Sequence, residues 1–224
     1  MLLNLQWKAQ KNINLQEIEL GLIIIGDAIR FLPYFIFVFS EVGKVGVGKG
    51  RGNYELQKVF LIKDGQNETI YTKNNGIVKN IDKLSFEFSY KHEDTDRVTL
   101  HFLSPVRMKC EGKLVFEPEF HHLVRSLLRR IYLLSLFWHN LELKLNFSDL
   151  IRKSEKVVVR DMDIKWFDWT RFSSRQNTKM KLGGFVGKIT YEGKLTEFMP
   201  FLRLGELIHI GKNCSFGLGK YKIV

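Results

Sequence analysis

The chain has 224 residues, 45% of them hydrophobic, and a formal net charge of +11 from 35 Lys and Arg against 24 Asp and Glu. That length suits one large domain or two small ones. The apolar fraction is too high for a disordered chain, and the charge favours a polyanionic partner, nucleic acid before an anionic membrane surface. The two cysteines, Cys110 and Cys214, lie far apart with no C-x-x-C pair, which argues against a disulfide framework or a structural zinc site and suits a reducing cytoplasm.

The N-terminal MLLNLQWKAQKN lacks the basic-then-apolar order of a signal peptide and is assigned no element. A strand is expected over Leu15–Ile25 and a helix over Asp27–Val42, with Pro33 near its start, where proline is tolerated. The apolar run Leu20–Val42 is broken by Asp27, Arg30 and Pro33, so it is not read as a membrane span. A glycine-rich loop follows, Gly43 to Gly52, then a strand from Tyr54 and a hairpin-like segment at Asn67–Thr72. The polar stretch His92–Asp96 is the best boundary, giving domains at 1–95 and 96–224.

Beyond it, Arg97–Lys109 reads as a strand. Glu119–Leu143 reads as a long helix, because Phe120, Leu123, Leu127, Ile131, Leu134, Trp138 and Leu141 recur at three and four spacing. Strands at Lys156–Trp166 and Gly184–Glu192, a helix at Thr196–Ile208, a glycine-rich loop Gly211–Lys220 and a strand from Tyr221 complete the chain. This half runs β-α-β-β-α-β, the ferredoxin-like order.

The chain repeats itself. Residues 26–56 align with 193–223 without a gap, at a constant offset of 167 residues. Gly26/Gly193, Phe31/Phe198, Pro33/Pro200, Gly50/Gly217, Gly52/Gly219 and Tyr54/Tyr221 are identical. Several identities fall on Gly and Pro, whose backbone geometry is special. The first copy begins at its third strand, so its first β-α-β is expected to be missing. The fold class is α+β, with tandem ferredoxin-like domains of the RAMP or RRM type, the first incomplete.

The two loops carry the strongest functional signal. Glycines let backbone N–H groups approach a phosphate, and Lys44, Lys49, Arg51, Lys212 and Lys220 add charge-assisted donors; the same glycines also serve simple turns. Neither loop has the G-x-x-x-x-G-K-[ST] pattern between strand and helix, so no nucleotide cofactor is expected. The segment RFSSRQNTKMK, residues 171–181, holds Arg171, Arg175, Lys179 and Lys181 around Phe172 with no acid, a mixture suited to stacked single-stranded RNA. The helix near residue 120 has a polar face of His122, Arg125 and Arg129, with His121 and Arg130 beside it. His121 and His122 are adjacent, so their side chains are expected to diverge, and no i, i+4 pair or acid cluster suggests a metal. His209 ends a helix directly before Gly211 and Lys212. It is placed either to act as general acid or base beside a phosphate, or to satisfy the carbonyls of the helix end.

The stretch MKLGGFVGKITYEGKLTEFMPFLRLGELIHIGKNCSFGLGKYKIV resembles the C-terminal domain of CRISPR-associated endoribonucleases of the RAMP superfamily, which process precursor CRISPR RNA for antiviral defence. DIKWFDWTRFSSRQ and IGDAIRFLPYFIFVFSEVGKVGVGKGRG are similar to the same family. The resemblance implies binding of repeat RNA by the basic surface and glycine-rich loops, including Gly211, Gly217 and Gly219. It implies metal-independent cleavage by 2′-hydroxyl attack, with no cofactor, in the cytoplasm. It admits other CRISPR effector subunits as partners and no membrane. In that family the catalytic histidine commonly sits on the first helix of the first domain, a region without a counterpart here. The candidate catalytic pair is therefore His209 with Lys212, with His121 or His122 in reserve. The alternative is a non-catalytic RNA-binding subunit or fragment.

Overall fold

The computed structural model describes residues 2–11, 14–48, 50–63, 66–77, 94–173 and 177–224. The chain divides into two compact units, Met1–Glu87 and Phe88–Val224.

The first unit is a five-stranded antiparallel sheet carrying one long helix. β1 (Leu2–Lys11) pairs with β2 (Asn14–Ile23), from Leu2 opposite Ile23 to Lys11 opposite Asn14. On its other side β1 pairs with β3 (Tyr54–Lys63), and β4 (Gln66–Thr72) and β5 (Gly76–Ile77) follow, giving the order β2-β1-β3-β4-β5. The first strand is one that the sequence reading leaves out. Its signal is the alternation of Leu3, Leu5, Trp7 and Ala9 with polar residues.

The helix expected from Asp27 begins as a 3-10 turn, Gly26–Phe31, and becomes α1 at Leu32–Val45. Pro33 sits in the first turn of α1, where its missing N–H costs nothing. Leu32 and Ile36 face Leu56, Val59, Leu61 and Ile70 in the core. Tyr54, at the start of β3, donates its hydroxyl to the Phe39 carbonyl (2.7 Å) and so ties strand to helix.

The second unit runs β6 (Arg97–Val106), α2 (Phe120–His139), β9 (Val158–Phe167), β12 (Gly184–Glu192), α4 (Met199–Ile208) and β13 (Tyr221–Ile223). The sheet order is β13-β6-β12-β9, every neighbour antiparallel. Between these lie two hairpins, β7–β8 (Lys109–Cys110 with Lys113–Leu114) and β10–β11 (Thr170–Ser173 with Thr178–Lys181), and a short helix α3 (Phe147–Ser154). None of these three is expected from sequence. The hairpins are too short for a period to show. Helix α3 is announced only by Asn146, whose side chain caps the Asp149 N–H at 3.0 Å.

Val98, Leu100, Phe102, Ile189 and Tyr191 are buried, with Phe120, Leu123 and Leu127 of α2 and Met199 and Leu202 of α4. Phe120 meets Tyr191 and Phe198 at 5.2 Å each. Both buried tyrosines donate to carbonyls, Tyr191 to Pro118 (2.8 Å) and Tyr221 to Leu202 (2.6 Å). This satisfies each hydroxyl without breaking the apolar layer. Helix α2 is shorter than its apolar stripe suggests. Asn140 adopts the left-handed conformation (φ 50°) and ends it, leaving Trp138 and Leu141 exposed.

Among the described residues no helix is long and apolar enough to cross a membrane. His92 and Glu93 of the expected linker lie outside the described residues.

Helix α4 lies close to its neighbours because position 205 is glycine. A Cβ there would meet the Tyr221 hydroxyl and come within 3.0 Å of Leu127 Cδ1. Gly205→Val is expected to destabilise by about 1–3 kcal/mol. Gly217→Ala has open space around it but φ 79°, and should cost about 1 kcal/mol. Urea denaturation of the two variants checks this order, and equal midpoints would contradict it.

Candidate nucleic-acid interface

The second glycine-rich loop is stitched to the end of β6. The amide of Lys212 donates to Arg107 O (2.9 Å), Gly219 to Pro105 O (3.1 Å) and Lys220 to the Ser104 hydroxyl (2.8 Å). Ser104 in turn donates to Gly217 O (2.9 Å), and Ile210 N–H to Gly219 O (2.9 Å). Gly219 has φ 76°, and a Cβ there would overlap the Ile210 carbonyl. The glycines therefore serve close backbone approach. The amides of Gly217 and Gly219 are already donated within the protein, to Cys214 O and Pro105 O. What the loop offers outward is the side chains of Lys212 and Lys220, both exposed.

Lys212 stands in a cleft of about 460 Å³. One wall is the face of α2 bearing His122, Arg125, Ser126 and Arg129, residues that share a face by their three- and four-residue spacing. The opposite wall is Arg107 to Cys110, with Gly211 and Lys212. No acid lines this cleft.

Its cations divide into two groups. Arg107 donates to Gly183 O (2.9 Å), Arg130 to Ile208 O at the end of α4 (2.7 Å), and Arg125 pairs with Glu155 (2.9 Å). These hold the walls. Lys109, Arg129 and Lys212 are exposed and have no acidic partner among the described residues. Three unpaired cations around a concave surface attract a phosphate. Arg107 and Lys109 are not singled out by sequence, since an RMK triplet at a strand end carries no signal until the loop is folded against it.

His122 is fixed within this cleft. Its Nδ1 accepts the Glu119 N–H (3.1 Å), completing the cap at the start of α2 and leaving the proton of the neutral ring on Nε2. Burial, then the neighbouring charges of His121 and Arg125, hold its pKa below the usual imidazole value. The expected divergence of His121 and His122 does not occur. Their ring centroids are 4.0 Å apart, because His122 turns back to the cap while His121 reaches the Glu119 carboxylate (3.2 Å).

His209 stands elsewhere. It closes α4 at φ 64°, its ring is 8% exposed, and it does not line the cleft. Its Nδ1 lies 3.2 Å from Leu218 O, to which the neutral ring donates, and burial lowers its pKa. Lys212 and His209 are thus separated by function of place, one in the cleft and one beneath the loop.

The segment around 171–181 is not a plain loop. In the β10–β11 hairpin Arg171 pairs with Met180 and Phe172 with Lys179. Alternation puts Phe172, Lys179 and Lys181 on one face and Arg171 on the other. Arg171 stacks over Phe216 of the glycine-rich loop at 4.6 Å, which joins the hairpin to the loop. Phe172 and Phe216 are 55% and 47% exposed, leaving aromatic faces open beside the cations. Arg175 and Lys49 lie outside the described residues. In the first unit Lys44 pairs with Glu41 (2.6 Å), Arg51 is exposed, and a bridge between Val47 and Gly52 closes the loop. Among the described residues no group of three or more His, Cys, Asp or Glu could hold a metal ion.

The two depressed histidines make stability depend on pH. The unfolded chain binds a proton at each near the usual 6.5, and the folded chain resists it. Stability is therefore full above that value and is lost as pH falls below it. The thermal midpoint should drop between about pH 7.5 and about pH 5.5. His209→Gln should flatten that fall, whereas a profile parallel to the parent's would count against it.

A family model described as CRISPR-associated endoribonuclease Cas6 matches residues 100–221. A second, described as an N-terminal domain, matches residues 3–83. An uncharacterized protein of Archaeoglobus fulgidus is 22% identical over 213 residues, covering 92% of this chain, which spans 66% of that relative's length. Among solved structures, Thermus thermophilus Cas6 matches with a TM-score of 0.59 at 12% identity, over 100% of this chain and 97% of that one. A Cas6 product complex matches with a TM-score of 0.58 at 14% identity, over 99% and 81%. With more than half of its length matched by the family model, this chain belongs to the CRISPR-associated endoribonuclease Cas6 family.

Proposed function

We propose that the protein binds CRISPR repeat RNA and cleaves it within the cleft between α2 and the second glycine-rich loop. The observation that carries this reading is the juxtaposition of Lys109, Arg129 and Lys212, all unpaired among the described residues, with His122 in a cleft that no acid lines. The printed description of the family and the resemblance of the C-terminal stretch support RNA as the anion. Phe172, Phe216, Arg171, Lys179, Lys181 and Lys220 extend the surface with stacking faces and cations, the mixture that holds single-stranded RNA.

The reaction needs no group beyond the RNA and the protein. The 2′-oxygen forms a bond to the adjacent phosphorus and gives up its proton, the bond from phosphorus to the 5′-oxygen breaks, and that oxygen takes a proton. The products are a 2′,3′-cyclic phosphate and a 5′-hydroxyl. Lys212 and Arg129 neutralise charge building on the phosphoryl oxygens. His122 Nε2 carries a proton and is the donor toward the phosphoryl group and the leaving oxygen. His209 acts on this site as a support, through the Leu218 carbonyl. Both units are read as variants of one ferredoxin-like plan, in keeping with the shared strand-helix-loop-strand repeat. Other CRISPR proteins are proposed as partners that receive the processed RNA.

A binding-only reading is favoured by one observation: residues 12 and 13 alone separate β1 from β2, so the first unit lacks the helix on which the resemblance places a catalytic histidine.

End-labelled cognate repeat RNA, incubated in EDTA beside a copy with a 2′-deoxy at the cut site, separates the readings. Cleavage of the first and not the second is expected. Tight, salt-sensitive binding with no cleavage would leave the binding role and sink the catalytic one. His122→Ala should slow cleavage by about 10²-fold or more while RNA retention changes little. Lys212→Ala should weaken both and lower the salt dependence of binding by about one phosphate contact.

A further inference from the structure

The second unit lays two helices side by side on its sheet, and the first unit lays one. The strand order shows what is missing. In the second unit the last, first and third strands lie together as β13-β6-β12, and β9, the second, follows. In the first unit β3-β1-β2 repeats the last, first and third positions. Only residues 12 and 13 connect β1 to β2, where the second unit has its helix α2 and strand β9. The expectation that a whole β-α-β is missing is therefore corrected: the first strand is present, and the helix and strand after it are not.

The second unit also shows which side of the remaining helix this leaves open. At the start of α4, Phe198 packs on Phe120 of α2 (5.2 Å), and further along Gly205 faces Leu127. The repeat offset maps these to Phe31 and Val38 of the first unit. Phe198 is 1% exposed, whereas Phe31 is 57% and Val38 52% exposed. Tyr34 and Val45 continue the same line at 68% and 70%, and Phe31, Tyr34, Val38, Glu41 and Val45 recur at three and four spacing along one helix face. On the sheet, Leu20 shares a face with Leu22, which packs on the core, yet Leu20 is 38% exposed. An apolar seat for a helix is thus open beside α1.

We infer that a second copy of this chain fills the seat, α1 packing antiparallel against α1 of its partner across a twofold axis near Val38. The face is self-complementary in that arrangement. Val38 meets its own copy, Phe31 lies opposite Val45, and the Tyr34 hydroxyl lies near Glu41, so no like charges meet on the stripe. The open side chains amount to roughly 500 Å² of apolar surface per copy, or on the order of 1,000 Å² for the pair, the size at which specific interfaces begin. A C2 pairing uses one patch twice and needs no second surface.

Sedimentation analysis of the full chain over a range of concentrations tests this. A monomer–dimer equilibrium is expected, and Val38→Arg, which sets two guanidinium groups on the axis, should raise its dissociation constant by about 100-fold or more. Val38→Cys should form a dimer cross-link under mild oxidation, with the parent chain, which keeps Cys110 and Cys214, as the control. Far-ultraviolet circular dichroism confirms that Val38→Arg remains folded. A chain that is monomeric up to about 100 µM overturns the inference and leaves the seat to a helix of another protein. A dimer that Val38→Arg leaves intact, or in which Val38→Cys does not cross-link, places the contact elsewhere and overturns it equally.

Discussion

The candidate site depends on one close approach, the backbone of Gly219 against the carbonyl of Ile210. Only a residue without a Cβ fits there, and φ 76° adds a second reason for glycine. Once that contact is made, the chain leaving α4 folds back onto β6, and Pro105, Arg107 and Ser104 take up the loop's amides and carbonyls. Everything functional in the second unit is measured from that seam. It buries His209, it holds Lys212 beside the end of β6, and it presents Phe216 to Arg171.

A seam of this kind changes how a basic glycine-rich loop is understood. The glycines do not mainly offer N–H groups to a ligand, because the amides of Gly217 and Gly219 are donated to neighbouring carbonyls. They let the loop lie flat enough for its lysines to project beside α2. The cations around it then split by geometry rather than by residue type. Arg107, Arg125 and Arg130 have several donors in a fixed fork and are used to bind carbonyls and a carboxylate within the fold. Lys109, Arg129 and Lys212 stay exposed, where a strongly anionic polymer gains most from displacing their counterions. A net charge of +11 is informative for this reason only after the internally used cations are set aside.

The same comparison between units explains the uneven distribution of exposed apolar side chains. Equivalent helices follow a 3-10 turn and a proline, and precede a glycine-rich loop and a tyrosine that begins a strand. Their sequences nonetheless diverge where their neighbours differ. Gly205 permits α2 to approach α4, and its counterpart Val38 has no helix of its own unit to meet. The apolar line on α1 is then not a defect of a surface helix but the record of a neighbour that this chain does not supply from within the first unit.

Local rules sufficed for much of this protein. Three- and four-residue periodicity marked α2, proline and glycine marked the start and end of the repeated helices, and alternation marked β12; all are set by interactions within a few residues. The β-α-β-β-α-β order and the basic, acid-poor character of the segment near residue 171 were legible for the same reason. What only the tertiary structure decided were relations between residues far apart in sequence. Whether His209 or His122 faces the cleft depends on where α4 meets β6. The junction of Lys109, Arg129 and Lys212 depends on three elements converging. The divergence expected for His121 and His122 was undone by a cap at Glu119. Sequence determines which backbone shapes are cheap at each position. Burial and pairing across the fold determine which side chains are left free to act, because desolvation and hydrogen bonding are properties of the assembled neighbourhood.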